Sequence, residues 1–194
     1  MTAVIAVATG RFAVVAADQA CTMGNDRYFS PKLRRVKGSA SSGLVIAGSG
    51  QVGPIWRRLE TDQKWRALRT QEEFFAAVCD LAQSTYDGQQ MSGHEPVESV
   101  AAISRDQIST MDNAGCRTLA ARIPGQRATI EGGGSGRNFC LAYVLGHLAA
   151  MTPRQARGVL GSQQRLSALL RETIEACSRF DASVGGDVDV MVVK

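Results

Sequence analysis

The sequence predicts an α+β fold in which two antiparallel sheets carry helices on their outer faces. The predicted elements run as strands, two helices, strands, two helices and a last strand, which is not the strict alternation of a parallel α/β fold. The first two strands, residues 3–7 and 12–16, are almost continuously apolar, so both faces of their sheet should be covered. The connections are short and no repeat is present, so residues 1–194 are predicted to form one domain.

The first elements are predicted from turn residues and apolar runs. The opening hairpin should turn at Thr9-Gly10-Arg11, where the glycine suits a tight turn. The polar residues 18–31 are predicted to be a loop, because they are mostly small or hydrophilic. Two short strands over residues 33–36 and 44–47 should follow, joined by a turn rich in glycine and serine.

Two capping boxes mark the starts of predicted helices. The first is Thr70-Gln71-Glu72-Glu73, followed by an apolar helical face, and the second is Thr152-Pro153-Arg154-Gln155, with proline at the first helical position. The remaining predictions are a helix over about 54–68, a loop over 87–96, strands over 97–103, 108–111, 118–121 and 128–131, a helix over about 137–151, a helical stretch to about 179 that breaks near 158–162, and a last strand over 188–193.

The composition excludes several classes of protein. A chain of 194 residues that is 44% hydrophobic can build an ordinary core. The 22 Lys and Arg residues exceed the 18 Asp and Glu residues only slightly and form no basic arm, so nucleic acid is not expected as a partner. No apolar run approaches about 18 residues, and the start lacks the features of a signal peptide. We therefore expect no membrane association and a cytoplasmic location.

The cysteine pattern indicates thiols rather than disulfides or a zinc site. Their number is odd, their spacing is wide and no C-x-x-C motif is present. Most lie in apolar stretches, which is typical of buried thiols in a reducing compartment. The five are Cys21, Cys79, Cys116, Cys140 and Cys177.

The hairpin places a threonine near an aspartate. A turn centred on Gly10 pairs residues whose numbers sum to about 20, so Thr2 and Asp18 should lie side by side. Met1 precedes a small residue and is expected to be removed, which would make Thr2 the amino terminus. A threonine with a free α-amine carries a nucleophile and a base on one residue. Lys32, at the start of a strand, could stabilise negative charge on the Thr2 hydroxyl.

Four groups of residues stand in order along the chain. They are Thr2 after Met1 with the run 16–25, the run Lys32-Leu33-Arg34-Arg35-Val36, the turn Gly134-Ser135-Gly136 with Phe139 and Cys140, and the tail 180–190 with its double glycine. Together these groups resemble the proteasome β-subunit and HslV-like family of threonine peptidases. The motifs are similar to those of HslV and of the bacterial proteasome homologue BPH.

The resemblance implies an N-terminal-nucleophile (Ntn) hydrolase with a four-layer αββα sandwich. It implies a threonine-type endopeptidase in which Thr2 is the nucleophile and its amine is the base, acting through water. Lys32 would lower the proton affinity of the hydroxyl, and Asp18 would hold Lys32. Ser135 and Asp181 would position the amine and share its protons. The resemblance implies neither a cofactor nor a metal.

The resemblance also implies a substrate cleft. Thr22 and Ser49 would line it, with the peptide bound as an added strand, and Gly50 would offer the oxyanion N–H. One departure concerns the tail, because the family has a serine where this chain has Val184, and Ser183 stands one place early. The implied partners are further copies in stacked rings of six or seven, a peptide or unfolded protein as substrate, and an AAA+ ATPase.

Two other functions stay open at the level of sequence. The same N-terminal threonine could serve an amidohydrolase of small molecules, acting as a monomer or dimer. The chain could also be a ring scaffold with weak or no activity, and Val184 is the residue that suggests this. Activity on peptides, and its dependence on Thr2, separates the three.

Overall fold

The structure, a computed structural model, describes residues 2–23, 26–35, 45–50, 53–61, 70–92, 97–112 and 117–194. In none of these ranges does a helix combine the length and the apolar character that a membrane crossing requires. The strands are β1 Val4–Ala8, β2 Ala13–Asp18, β3 Ala20–Met23, β4 Asp26–Phe29, β5 Leu33–Arg35, β6 Val45–Gly50, β7 Val97–Ile103, β8 Ile108–Asp112, β9 Arg117–Leu119, β10 Ala121–Arg122, β11 Thr129–Gly133 and β12 Val188–Val193. The helices are α1 Gly53–Thr61, α2 Gln71–Ser92, α3 Arg137–Ala149, α4 Pro153–Leu160 and α5 Gln163–Phe180.

The strands form two five-stranded antiparallel sheets and one small hairpin. The first sheet has the order β10-β11-β1-β2-β12, the second has the order β5-β6-β7-β8-β9, and β3 pairs only with β4. Helices α3 and α5 pack on the outer face of the first sheet, while α2 packs on β7 and β8 of the second. The layers are therefore helix, sheet, sheet and helix, which confirms the predicted αββα class.

Two cores explain why β1 and β2 are apolar throughout. Alternate side chains of a strand point to opposite faces, so each strand serves both cores. Ile5 and Val14 lie in the core beneath α3 and α5, whereas Val4 and Val15 lie in the core between the sheets. Every residue of both strands is buried. The prediction that both faces of this sheet are covered is confirmed.

The register of the first hairpin differs from the prediction by one residue. Ala8 pairs with Ala13 and Val4 with Ala17, so partner numbers sum to 21 rather than about 20. The loop has four residues, closed by a bond from the Thr9 amide to the Phe12 carbonyl, and its centre falls after Gly10. Asp18 consequently lies opposite Ala3, one place beyond Thr2.

Three predicted elements are wrong. The predicted loop over residues 18–31 contains the β3–β4 hairpin, whose four-residue strands show no alternation of apolar and polar residues. The predicted loop over 87–96 is helical as far as Ser92, because one glycine inside a helix costs only about 1 kcal/mol. The predicted strand over 118–121 is two strands, since the chain passes from the second sheet to the first at Ala120.

The other predicted elements are confirmed within the described ranges. Thr70 and Glu73 exchange the two bonds of a capping box, as do Thr152 and Gln155. The last helical stretch breaks at Gly161, between α4 and α5. Several predictions fall on residues that the structure does not describe. They concern the turn predicted over 38–43, the part of the first predicted helix beyond Thr61, Cys116 and residues 24–25.

Candidate active site

Thr2 lies buried at one end of the first sheet, beneath the loop that joins β11 to α3. Its exposed fraction is 2%. The Gly136 amide donates to the Thr2 carbonyl over 3.2 Å. Gly134 has a φ of 76°, and a Cβ built on it would lie 2.1 Å from the Thr2 carbonyl oxygen. Glycine is therefore required at position 134, because the loop backbone rests directly on Thr2.

Asp18 and Lys32 form a buried ion pair next to Thr2. The Lys32 ammonium donates to Asp18 Oδ1 over 2.7 Å and to the Ala20 carbonyl, and the two side chains are 3% and 0% exposed. The same Oδ1 accepts the Ala3 amide at 2.9 Å. The carboxylate thus joins the residue after Thr2 to the lysine, which is the pairing expected from the sequence.

The other oxygen of Asp18 is bound by the double-glycine loop. Gly185 donates its amide to Asp18 Oδ2 over 3.1 Å, and its carbonyl accepts the amides of Gln19 and Ala20. A Cβ on Gly186 would lie 2.6 Å from the ring of Phe29. The closing motif therefore secures both the aspartate and the start of the β3–β4 hairpin.

Ser135 and Asp181 also meet, as predicted. Ser135 Oγ donates to Asp181 Oδ2 over 3.2 Å. Asp181 Oδ1 accepts the Ser183 amide at 2.9 Å and the Ser183 hydroxyl. The pKa of Asp181 lies below its usual value, chiefly because the Ser183 hydroxyl hydrogen-bonds to the carboxylate, with the Ser183 amide and Ser135 acting in the same direction against partial desolvation.

Ser183 was missed as a site residue because it stands one place early in its motif. Val184 instead turns into the core, where it is 2% exposed and its amide binds the Asp181 carbonyl. The short turn from Asp181 to Val184 lets Ser183 reach back to the carboxylate at the end of α5.

The three predicted cleft residues lie on two strands near Lys32. Thr22 is in β3, opposite Arg27, and Ser49 and Gly50 end β6. The Gly48 amide donates to the Lys32 carbonyl, which sets the end of β6 beside the lysine. The β6–β7 register shifts between Ser49 and Gly50, and such a bulge redirects the backbone groups next to it.

A cavity of about 240 Å³ opens on the other side of the loop that covers Thr2. Its walls come from both sheets and from the first residue of α3. The lining residues are Ser99, Thr110, Met111, Gly132, Gly133, Gly134 and Arg137. Gly134 lines this cavity and also contacts Thr2, so the loop separates the cavity from Thr2 by a single residue.

A second ion pair, which the sequence did not predict, borders that cavity. Glu131, only 3% exposed, accepts from Arg137 Nε over 2.8 Å, and Arg137 Nη2 lies 2.8 Å from the same oxygen. A charged residue inside a strand and an arginine at the first position of a helix are the two signals that could have found the pair.

Two buried thiols lie behind the loop. Burial raises the pKa values of both Cys140 and Cys177, and the two thiols also hydrogen-bond to each other. A thiol held in this way is a poor nucleophile. Cys21 and Cys79 are partly exposed, and the prediction of thiols rather than disulfides is confirmed for Cys21, Cys140 and Cys177.

No protein-family model matches the chain, and no curated protein matches it by sequence. Solved structures do match along its whole length. HslV from Trypanosoma brucei has a TM-score of 0.67 and 18% identity, covering 100% of this chain and 99% of that one. BPH from Thiobacillus denitrificans, in complex with epoxomicin, has a TM-score of 0.64 and 14% identity, with coverage of 100% and 98%.

A third structure, described as the helical assembly of the Anbu complex from Pseudomonas aeruginosa, has a TM-score of 0.70 and 15% identity, covering 98% of this chain and 80% of that one. These similarities span both sheets and the helices on each side. The protein therefore has the proteasome-like Ntn-hydrolase fold that HslV, BPH and Anbu share.

Proposed function

We propose that the protein is a threonine endopeptidase subunit of the proteasome-like type. One observation carries the proposal. Thr2 lies between two separate polar networks, Asp18 with Lys32 on one side and Ser135 with Asp181 on the other. An N-terminal nucleophile needs both a group that stabilises negative charge on its hydroxyl and a group that orients its amine. These two networks are suited to those two tasks.

The proposed reaction begins once the bond between Met1 and Thr2 is broken. The neutral Thr2 amine, through water, takes the hydroxyl proton, and Thr2 Oγ attacks the peptide carbonyl. The Gly50 amide stabilises the oxyanion, and Lys32 stabilises the charge that develops on Oγ. The C–N bond breaks, the leaving amine takes the proton, and an acyl ester remains. Water then hydrolyses the ester by the same route.

The substrate would be a peptide or an unfolded protein bound as an extra strand. In this proposal Thr22 and Ser49 border the cleft from β3 and β6, and backbone bonds from both strands would hold an extended peptide. The cavity beside Gly134 would take part of the chain near the cleaved bond. Recognition by backbone bonds favours broad specificity over a single sequence.

The proposal includes assembly into stacked rings, with six or seven subunits each, and an AAA+ ATPase that delivers substrate. The fold shared with HslV, and the helical assembly recorded for Anbu, support association between copies of the chain. Enclosing the sites also makes physical sense, because an unguarded peptidase of broad specificity would damage other proteins. We place such an assembly in the cytoplasm.

The scaffold alternative arose from Val184. Ser183 hydrogen-bonds to Asp181 from the preceding position, which favours the peptidase proposal, and the experiment separates the two. The small-molecule amidohydrolase remains a distinct outcome of the experiment.

The test is the intact mass of the purified protein with and without epoxomicin, together with hydrolysis of fluorogenic peptides. We expect Met1 to be absent, one adduct per chain, and neither adduct nor peptidase activity in Thr2→Ala. Peptidase activity that survives in Thr2→Ala would overturn the proposal. Cleavage of small amides without peptides would favour the amidohydrolase, and loss of Met1 without an adduct would favour the scaffold.

A further inference from the structure

The loop 134–136, which joins β11 to α3, makes the contacts that position Thr2. Gly134 rests on the Thr2 carbonyl, the Gly136 amide donates to it, and Ser135 holds Asp181. The loop is Gly-Ser-Gly, and the two residues before it, Gly132 and Gly133, end β11 and pair with β1. Glycine loses more conformational freedom on ordering than any other residue, so this segment is costly to hold in one shape. Pairing with β1 holds its strand end, and a contact between β11 and α3 would hold its helix end in place.

The Glu131–Arg137 pair is such a contact. Glu131 lies in β11, before the two paired glycines, and Arg137 is the residue after the loop. Glu131 Oε1 accepts the Arg137 Nε–H and the Gly132 amide, each over 2.8 Å, and Arg137 Nη2 lies 2.8 Å from the same oxygen. A Cβ on Gly132 would lie 3.2 Å from Cγ of Arg137, so the arginine stem folds back over this glycine. The arginine therefore reaches from the start of α3 back to β11.

Electrostatics makes each member of the pair depend on the other. Arg137 begins α3, where the helix dipole disfavours a positive charge, and the first turn holds no acidic residue. Glu131 is buried, and a buried carboxylate is stable only when paired. The contact across the loop relieves both problems at once. An arginine at this place is therefore explained by its partner, not by helix formation.

We propose that Glu131 and Arg137 are positioning residues for Thr2: they fix the span of the loop and so the placement of Gly134, Ser135 and Gly136 against the nucleophile. The inference rests on the proposed function of Thr2. Neither side chain is assigned a role in bond making, and both act through the loop backbone.

The main variant is Glu131→Gln with Arg137→Met. It removes both charges together, so no buried carboxylate is left unpaired, and methionine keeps most of the apolar stem over Gly132. A second variant, Arg137→Lys, keeps the charge but replaces the two-nitrogen contact by a single ammonium. The matched control is Arg105→Met with Asp106→Asn, which removes an exposed ion pair in the β7–β8 turn.

Two measurements read the effect. The first is epoxomicin labelling of Thr2, separated into the maximal rate and the concentration for half-saturation. We expect the maximal rate to fall about tenfold or more in the main variant, since small misplacements of reacting groups have effects of this size. The half-saturating concentration should change by less than about twofold, because the cleft strands are untouched. Arg137→Lys should be intermediate.

The second measurement does not need activity. Hydrogen–deuterium exchange of the peptide containing Gly136 reports the bond from its amide to the Thr2 carbonyl. Exchange there should be faster in the main variant and unchanged in the control. This readout keeps the inference testable even if wild-type protein takes up no epoxomicin, which would defeat the proposed function alone.

Unchanged exchange at Gly136 in the folded main variant would overturn the inference, as would an unchanged maximal labelling rate. An equal fall in the control would show general destabilisation and would overturn it too. If the main variant does not fold, Arg137→Lys decides by the same two measurements.

Discussion

Asp18 connects three parts of the candidate site. Its two oxygens accept from Ala3, Lys32 and Gly185, and its side chain is wholly buried. Buried ion pairs are weak sources of stability, because removing two charges from water costs about as much as their attraction returns. An apolar pair of the same volume would serve the core equally well. Stability alone therefore does not explain Asp18 and Lys32, whereas the function proposed for Thr2 does.

Lys32→Met should separate the two roles. It leaves Asp18 charged and unpaired by lysine, so we expect the free energy of unfolding to drop by roughly 3–5 kcal/mol. Adding Asp18→Asn should restore much of that loss, because no buried charge remains. Epoxomicin labelling should stay at least about 100-fold slower in both variants. Denaturant unfolding and labelling rates check this, and recovery of labelling in the double variant would contradict a catalytic role for Lys32.

Asp181 gives a pH dependence of known sign. Its pKa is lower in the folded protein, mainly through Ser183, so its contribution to stability is fully present above the unfolded value of about 3.9. That contribution is lost as the pH falls through the lower folded value. Carboxylates titrate between roughly pH 5 and pH 3. Across that range we expect the free energy of unfolding to fall less in Asp181→Asn than in the wild type. Urea midpoints at the two pH values measure this, and identical losses would contradict it.

At the scale of elements, strand ends and helix ends converge on Thr2. The loop after β11 covers it, the end of β2 and the residue before β5 supply the ion pair, and the end of α5 supplies Asp181. Rigid elements surround each functional residue, while the residues themselves lie where the elements stop. This arrangement lets a packed sandwich present several side chains at one point.

Gly134→Ala tests the closest contact in that arrangement. The new Cβ would lie 2.1 Å from the Thr2 carbonyl oxygen, so Thr2 or the loop must move and labelling should be lost. Gly125→Ala is the matched control, because Gly125 also has a positive φ, 70°, but nothing lies within 4 Å of its added Cβ. The control should lose only about 1–2 kcal/mol of stability and keep full labelling. Equal labelling in the two variants would show that the contact is not needed.

At the scale of the whole molecule, the sandwich leaves both outer faces covered by helices rather than by exposed sheet. A chain of 20.7 kDa would give a double ring of about 250 kDa with six subunits per ring and about 290 kDa with seven. Native mass spectrometry of the purified protein should give one of these masses. A monomer or dimer with amidase activity would contradict the ring and favour the small-molecule enzyme.

The sequence determined most of the elements by local physics. Unbroken apolar runs predicted β1 and β2 as strands covered on both faces, and the boxes at Thr70 and Thr152 fixed two helix starts. These signals depend on residues within a few positions of each other, so no knowledge of the fold is needed. The order of the motifs also indicated one site made of Thr2, Asp18, Lys32, Ser135 and Asp181. In the structure Asp18 pairs with Lys32 and Ser135 pairs with Asp181, and both pairs lie near Thr2.

The tertiary structure decided what local signals cannot encode. The strands of the β3–β4 hairpin are too short and too irregular in pattern to be predicted, and backbone bonds hold their start to Gly185, which lies more than 150 positions away. The division of residues 117–122 between two sheets follows from packing, not propensity. Ser183 and the Glu131–Arg137 pair belong to the site only because a turn and a loop fold back on themselves. Such contacts are made when distant segments meet, so residue types suggest them but only the packed fold creates them.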